Sequence, residues 1–157
     1  WVDTADLEMR EEIVSDTNGR INKEEADLLL ERLLAYVDKI GLERILEGRI
    51  DFGIISPYKA QVNYLRHRLK KTSALQPLRK MISVNTVDGF QGQERDVIFI
   101  SMVRANEQGN IGFLNDLRRM NVAITRARMK LVILGDAGTL TRHPFYHRLH
   151  AYILSLR

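Results

Sequence analysis

The chain has 157 residues, 45% of them hydrophobic, which is the size and composition of a single folded domain with its own core. It contains no cysteine, and this excludes disulfide bridges and zinc sites built from thiolates. The net charge of +4 is unevenly distributed, because residues 1–51 hold 14 acidic and 7 basic side chains whereas residues 52–157 hold 17 basic and 6 acidic ones.

The apolar runs of the chain, such as residues 97–100 and 131–134, are far too short to span a membrane. No basic and apolar leader opens the sequence, so we expect a cytoplasmic location, or a nuclear one in a eukaryote. The chain starts at Trp1 rather than at a methionine, which predicts that it is a piece of a longer protein. Within it we expect a single domain over residues 1–157, with residues 1–21 as a polar lead-in.

Two helices flank the first predicted strand. Apolar side chains recur every three or four positions over residues 23–40, which predicts a helix with Asn22 as its N-cap and Gly41 at its end. Residues 49–56 are rich in isoleucine and phenylalanine and predict a buried strand. The second helix is expected over residues 57–71, because proline suits a first helical turn and an apolar stripe follows it.

The remaining elements continue this alternation of strands and helices. They are predicted as strands at residues 80–86, 96–102 and 130–134 and as helices at residues 115–127 and 144–156. Short apolar strands separated by helices favour a mostly parallel sheet covered on both faces. The right-handed crossover rule then makes the fold a doubly wound α/β structure.

Residues 57–87 contain basic side chains but no acidic one. Such a stretch is typical of a surface that meets the phosphate backbone of a nucleic acid. It is equally typical of a solvated helix face followed by a basic loop. Charge alone does not decide between these two interpretations.

The first motif, residues 53–61 (GIISPYKAQ), joins a strand to the beginning of a helix. In an open α/β sheet such a junction faces the ligand crevice, and the free N–H groups of the helix attract phosphate there. Tyr58 can stack on a base or pack in the core, since it also lies on the apolar stripe of the helix. Gln61 faces either the crevice or the solvent.

The second motif, residues 85–96 (NTVDGFQGQERD), places two glycines three positions apart after a strand. A glycine pair alone is weak evidence for a tight turn that a ligand approaches closely. Thr86 at the strand end can donate to a phosphate, and Glu94 can accept from a ribose hydroxyl. Asp88 is expected to be the N-cap of the short turn.

The third motif, residues 118–128 (RRMNVAITRAR), carries four arginines on a half-buried predicted helix. Arginines in such a place call for anionic partners, because the planar guanidinium suits phosphate oxygens. Arg119 and Arg126 lie on one side of that helix, so both can point at one site. A basic helix exposed to solvent is the alternative, but residues 122–124 (VAI) leave little room for a fully wet face.

These stretches, in this order, resemble the late motifs of the superfamily-one helicases. The resemblance rests on residues 54–58 (IISPY), 86–94 (TVDGFQGQE) and 118–128, and it is strongest to the up-frameshift (nonsense-decay) RNA helicase and its DNA-processing relatives. Further stretches that fit this group are residues 103–106 (VRAN) and 111–116 (IGFLND). The similarity extends over most of the chain, from about residue 22 to residue 144.

The resemblance implies the second RecA-like domain of a helicase, a P-loop NTPase-type fold that lacks the P-loop itself. Arg126 matches the arginine finger, which reaches the γ-phosphate held by the first RecA-like domain. Glu94 and Gly92 match the site of the nucleotide sugar. Arg104 lies in a motif linked to nucleotide turnover, where it either touches phosphate or braces the fold. The positions expected to line the single-strand track are Thr86, Pro57, Tyr58 and Gln61.

The implied cofactor is ATP with Mg²⁺, held mainly by the N-terminal RecA-like domain of the same protein. The implied partner is single-stranded DNA or RNA, along which this group of helicases moves 5′ to 3′. The chain contains neither a Gly-x-x-x-x-Gly-Lys-Ser/Thr loop nor an Asp-Glu pair after a strand, and it shows no metal-ligand cluster. We therefore expect the isolated chain neither to hydrolyse ATP nor to unwind a duplex.

Two other functions are compatible with fewer of these features. A non-catalytic nucleic-acid-binding module derived from a helicase would have little reason to keep both Glu94 and Arg126. A phosphotransferase or another α/β enzyme would need a base, a nucleophile or a metal cluster. The histidines do not provide one, because they are scattered on predicted surface helices: His67, His143, His147 and His150.

Overall fold

The computed structural model describes residues 1–14 and 19–156. The strands are β1 (Val2–Asp3), β2 (Glu12–Ile13), β3 (Arg20–Ile21), β4 (Phe52–Ser56), β5 (Ile82–Thr86), β6 (Arg95–Ser101) and β7 (Ala127–Gly135). The α-helices are α1 (Lys23–Ile40), α2 (Leu42–Gly48), α3 (Lys59–Lys71), α4 (Leu117–Ile124), α5 (Ala137–Leu140) and α6 (Pro144–Ser155). The 3₁₀ helices are Ala5–Leu7, Ser73–Met81, Asp88–Phe90 and Gly112–Asn115. Among the described residues, no helix is long and apolar enough to cross a membrane.

A five-stranded sheet forms the centre of the described structure, with the strand order β1-β7-β6-β4-β5. Every neighbouring pair in it is parallel, which confirms the expected parallel sheet. Because the strands run in one direction, their last residues share one edge of the sheet and their first residues share the other. The edge formed by the ends of β4 to β7 is called the carboxyl edge below, and the edge formed by their beginnings is called the amino edge.

Helices cover both faces of the sheet, and each face has its own apolar core. On one face, α1 and α3 pack against residues such as Phe99, with Leu29 fully buried between the layers. On the other face, α4 and α6 pack against residues such as Ile98, with Met120 fully buried. Successive strand residues point to opposite faces, so Ile98 and Phe99 serve different cores. The doubly wound α/β fold is therefore confirmed.

The first helix shows why local signals succeed. α1 spans Lys23–Ile40 as predicted, and its N-cap Asn22 accepts a hydrogen bond from the backbone of Glu25 at 3.1 Å. At the other end, Gly41 has φ of +99°, a conformation that favours glycine, and its N–H donates to the carbonyl of Val37.

Residues 1–21 were expected to be a polar lead-in, but the described part of this segment contains short strands. β1 adds an edge strand beside β7, with Val2 opposite Leu134, and β2 and β3 pair as an antiparallel hairpin. Residues 15–18 of this segment lie outside the described residues. Strands of two residues are too short to show a period, so a periodicity argument does not detect them.

The boundary between α4 and β7 lies earlier than predicted. α4 ends at Ile124, and the hydroxyl of the C-cap residue Thr125 donates to carbonyls of the preceding turn at 3.0 Å. β7 begins at Ala127 rather than at residue 130. Arg126 therefore lies in the connection between helix and strand, at the amino edge, and not on a helix as its motif had suggested.

Candidate nucleotide and nucleic-acid sites

Arg126 lies at the amino edge beside the loop that precedes β6. Its backbone carbonyl accepts from the N–H of Arg95 at 3.0 Å, which fixes the connection to the neighbouring strand. Its guanidinium donates to the carbonyl of Val122 at 3.1 Å, to the hydroxyl of Thr125 at 3.2 Å and to the carbonyl of Gln93 at 3.4 Å. The last contact brings the side chain of Arg126 next to the residue that precedes Glu94.

Arg119 and Arg128 are paired with carboxylates, whereas Arg126, like Arg118, has no carboxylate partner among the described residues. Arg119 pairs with Asp88 at 3.3 Å, and Arg128 pairs with Asp96 at 3.0 Å. Within residues 1–14 and 19–156, Arg126 has only neutral acceptors and no carboxylate within ion-pair distance. A half-exposed guanidinium without a counter-charge can accept an anionic ligand, since no internal ion pair has to be broken first. Helix geometry allowed Arg119 and Arg126 to point at one site, but Arg119 is paired with Asp88, as suits the role of holding the helix in place that the resemblance implied for it.

The loop with Gly92 and Glu94 is exposed next to Arg126. Gly92 has φ of +77°, and a Cβ added there would meet no atom within 4 Å, so the turn leaves open space above the backbone. Gly89 has a different role, because a Cβ there would overlap the side chain of Asn85. Asp88 does not cap the short turn as predicted, since Val87 occupies the cap position and the carboxylate of Asp88 is paired with an arginine.

Thr86 and Pro57 lie at the carboxyl edge, at or next to the ends of neighbouring strands. Thr86 is the last residue of β5 and pairs in register with Ser56, directly before Pro57. The Thr86 hydroxyl accepts a hydrogen bond from the N–H of Gly89 at 3.4 Å. Its own proton has no acceptor in the part of the chain that the structure describes, so it remains available to an external oxygen. Thr86 is half-buried, but Pro57 is buried, so the expectation that Pro57 lines the single-strand track is not met.

Tyr58 and Gln61 do not offer the surfaces that contact with a strand requires. Tyr58 is 1% exposed, and its ring lies against that of Phe113. Gln61 is fully buried, and its amide donates to the carbonyl of Asn22 at 2.9 Å and to the hydroxyl of Ser101 at 3.0 Å. This corrects the sequence-based expectation for both residues: they hold the carboxyl edge together from inside.

Arg104 is also placed differently from the expectation. It lies just beyond the end of β6, at the carboxyl edge, and the structure does not bring it together with Arg126 at the amino edge. Its guanidinium is buried, donating to Glu11 at 2.9 Å and to the hydroxyl of Tyr58 at 3.1 Å. Burial by itself lowers the pKa of Arg104, but these hydrogen bonds raise it above its ordinary value, so the group stays charged. The correction is that Arg104 braces the fold and offers no free charge to a nucleotide.

A buried polar cluster at the carboxyl edge escaped the sequence analysis. Glu25 is fully buried, and one of its carboxyl oxygens accepts from the hydroxyl of Ser101 at 2.5 Å and from the N–H of Val103 at 2.8 Å. Burial raises the pKa of Glu25 to about 7. The one available signal was the position of Glu25 three residues after the N-cap Asn22, which is the spacing of a capping box. Here the carboxyl group reaches β6 and the residue beyond it instead of the helix start.

The cluster holds a strained turn. Val103 has φ of +71°, which is unusual for a β-branched residue, and the N–H of Arg104 donates to the carbonyl of Met102 at 2.8 Å. The N–H of Val103 is bound by Glu25, and its carbonyl accepts from the side chain of Asn22 at 3.1 Å. The first turn of α1 therefore fixes the direction in which the chain leaves β6. Among the described residues, no group of acidic or histidine side chains is arranged to hold a metal ion.

The chain is similar to known helicases over most of its length. A family profile described as "AAA domain" matches residues 1–138. The probable helicase MAGATAMA 3 of Arabidopsis thaliana is 41% identical over 133 residues, which are 85% of this chain and 16% of that protein. Regulator of nonsense transcripts 1 of Dictyostelium discoideum is 43% identical over 140 residues, covering 88% of this chain and 10% of that protein. Helicase sen1 of Schizosaccharomyces pombe is 42% identical over 129 residues, covering 82% and 7%.

The match thus covers nearly the whole chain but only a small part of each relative. The profile includes all three motif regions described above. The parallel α/β sheet agrees with the RecA-like fold that the motifs implied. The chain therefore belongs to the AAA-domain family, within the up-frameshift-like group of superfamily-one helicases, and it matches the C-terminal RecA-like domain of that group.

Proposed function

We propose that this domain supplies one half of a composite ATP site in a longer helicase. Arg126 would reach the γ-phosphate of ATP that the preceding RecA-like domain holds together with Mg²⁺, and Glu94 would accept a hydrogen bond from the nucleotide sugar. The observation that carries the proposal is the guanidinium of Arg126, which has no carboxylate partner among the described residues and contacts Gln93, next to Glu94. The exposed turn at Gly92 gives the nucleotide room to approach the backbone.

The chemistry follows from the charge of Arg126. Phosphoryl transfer spreads negative charge over the γ-phosphate oxygens, and a guanidinium placed there stabilises the transition state. Such a finger is worth roughly 10³–10⁵-fold in turnover in other nucleotide hydrolases. Because the finger and the phosphate-binding loop would come from different domains, hydrolysis would require the cleft between them to close. Closure and reopening would then move the protein along a single strand.

The nucleic-acid strand would pass the carboxyl edge at Thr86. The free hydroxyl proton of Thr86 suits a phosphate oxygen, and backbone contacts of this kind do not depend on base sequence. Arg104, Tyr58 and Gln61 would act beneath this surface by fixing the ends of β4 and β6, without touching the strand themselves.

The test is ATP turnover of the full-length protein with Arg126→Ala, and Arg128→Ala is the matched control. Arg128 lies two residues away, but its charge is already paired with Asp51 and Asp96. We expect Arg126→Ala to reduce turnover by at least roughly 100-fold with little loss of single-strand binding, and Arg128→Ala to keep most of the turnover. Equal turnover in the Arg126→Ala variant and the wild type would refute the finger and favour a non-catalytic nucleic-acid-binding module.

A further inference from the structure

Phe113 is an exposed aromatic ring beside the proposed single-strand track. It lies in the 3₁₀ helix Gly112–Asn115 and is 40% exposed. Its ring stacks on Tyr58, with the centroids 4.8 Å apart and the planes inclined by 21°. One face of the Phe113 ring is covered by Tyr58, so the ligand is expected at the face opposite Tyr58. Tyr58 lies two residues after Ser56, which pairs in register with Thr86, so Phe113 belongs to the same edge of the sheet as Thr86.

Hydrogen bonds fix the position of the aromatic pair formed by Phe113 and Tyr58. The hydroxyl of Tyr58 accepts from the backbone N–H of Phe113 at 3.2 Å and from the guanidinium of Arg104 at 3.1 Å. Arg104 is anchored in turn by Glu11 at 2.9 Å. Buried hydrogen bonds of this kind fix the position of the aromatic pair before any ligand arrives, which lowers the entropy lost on binding.

The space next to the ring suits a flat polar ligand. A cavity of about 200 Å³ opens beside Phe113, and its wall combines aromatic, cationic and amide side chains with glycine backbone. The lining residues are Arg20, Tyr58, Arg104, Asn110, Gly112 and Phe113. Both arginines of this lining are paired with Glu11, so the aromatic ring is the feature that suits a base. Stacking on aromatic side chains is one way in which proteins bind single-stranded bases without sequence preference.

We propose that Phe113 stacks on one base of the bound single strand. This inference rests on the proposed function, since it requires a strand at the carboxyl edge. The sequence analysis allowed Tyr58 to stack on a base. In this proposal Phe113 takes that role, and the buried Tyr58 supports the ring of Phe113. The ligand class is any nucleobase in a flexible single strand, because every base has a π-face.

The experiment uses a tryptophan at position 113 as a reporter of stacking. Trp1 is the natural tryptophan of the chain, so the double variant Trp1→Phe, Phe113→Trp carries one indole, located at the proposed site. The probes are an oligothymidylate and an oligonucleotide of equal length that consists of abasic residues. We expect the first to quench the fluorescence at position 113 and the second to leave it unchanged. Equal quenching by both probes would overturn the stacking, because it would show only a backbone effect.

Binding affinities of two further variants complete the test. Phe113→Leu preserves apolar bulk over Tyr58 but removes the π-face, and Tyr152→Ala removes a 62% exposed ring on α6 as the control. We expect Phe113→Leu to weaken oligothymidylate binding roughly tenfold without lowering the melting temperature of the fold, and Tyr152→Ala to bind as the wild type.

The outcomes separate the two proposals. If the wild-type chain and the full-length protein bind no single strand, the proposed function itself fails. If the wild type binds and Thr86→Ala weakens binding while Phe113→Leu does not, the track remains and only the stacking on Phe113 is refuted.

Discussion

Glu25 shows how one buried carboxyl group can shape a functional edge. Its side chain carries the strained turn at Val103, from which Arg104 projects back toward Tyr58. The second carboxyl oxygen of Glu25 has no hydrogen-bond partner among the described residues. A buried carboxylate with an unpartnered oxygen is costly, so the neutral form is favoured and the pKa rises to about 7.

The raised pKa predicts a pH dependence of stability. Between the ordinary pKa of 4.5 and about 7, the folded state holds a proton at Glu25 that the unfolded state has lost. The free energy of unfolding therefore falls as the pH rises through this window, by at most about 3 kcal/mol. Glu25→Gln removes the ionisation and keeps an acceptor, so we expect its stability to gain on the wild type between pH 5 and pH 8.

Urea unfolding at several pH values measures this effect. Glu24→Gln is the control, because Glu24 is exposed on the same helical turn and should follow the wild type. A difference between Glu25→Gln and the wild type that stays constant from pH 5 to pH 8 would contradict the prediction.

Residues differ in how well their roles follow from the sequence. The role proposed for Arg126 comes from its motif in the sequence and stays a prediction. The burial of Arg104 could not be predicted from the sequence, because its partner Glu11 lies 93 positions away in the chain. The orientation of Tyr58 was left open by the sequence, since a residue on an apolar stripe can face the core or a ligand. Its ring contact with Phe113, 55 positions later, decides for the core.

At the scale of elements, the turn at Gly112 packs closely against two side chains of the carboxyl edge, those of Arg104 and Tyr58. Gly112 has φ of +51°, and a Cβ there would overlap the guanidinium of Arg104 and lie 2.7 Å from the hydroxyl of Tyr58. Gly92 also has positive φ, but a Cβ at that position would meet no atom within 4 Å. An alanine at position 92 therefore tests backbone strain alone, whereas an alanine at position 112 tests strain and steric overlap together.

We expect Gly112→Ala to lower the free energy of unfolding by roughly 2–4 kcal/mol, since both strain and overlap act there. Gly92→Ala should cost only about 1 kcal/mol, because strain acts alone. Chemical unfolding of both variants checks this, and equal losses would show that Arg104 and Tyr58 yield without cost.

Elements with local signals were predicted well. α1 has an N-cap, a helical period and a terminal glycine within its own sequence, and its bounds were correct. The border between α4 and β7 was misplaced, because apolar positions continue through residues 122–127 and a helical period does not reveal the turn at Thr125. β7 instead begins at Ala127, where its pairing with β6 replaces the helical hydrogen bonds.

At the scale of the whole molecule, the candidate residues divide between the two edges of one parallel sheet. Arg126, Glu94 and Gly92 lie at the amino edge of β6 and β7, whereas Thr86, Pro57 and Phe113 belong to the carboxyl edge. A nucleic-acid strand bound at the carboxyl edge and a nucleotide bound at the amino edge would be connected through the β-strands between them. The sequence predicted the fold class correctly, but the division into edges follows only from the strand order and register.

Because the proposed ATP site is shared between two domains, ATP hydrolysis by the isolated chain tests the composite site most directly. In the proposed arrangement the chain provides the arginine finger Arg126 but no phosphate-binding loop. The purified domain should therefore show no ATP turnover above background, whether or not single-stranded nucleic acid is added. The full-length protein, assayed in parallel, should hydrolyse ATP and do so faster with a single strand. Hydrolysis by the isolated chain that disappears in Arg126→Ala would contradict the composite site.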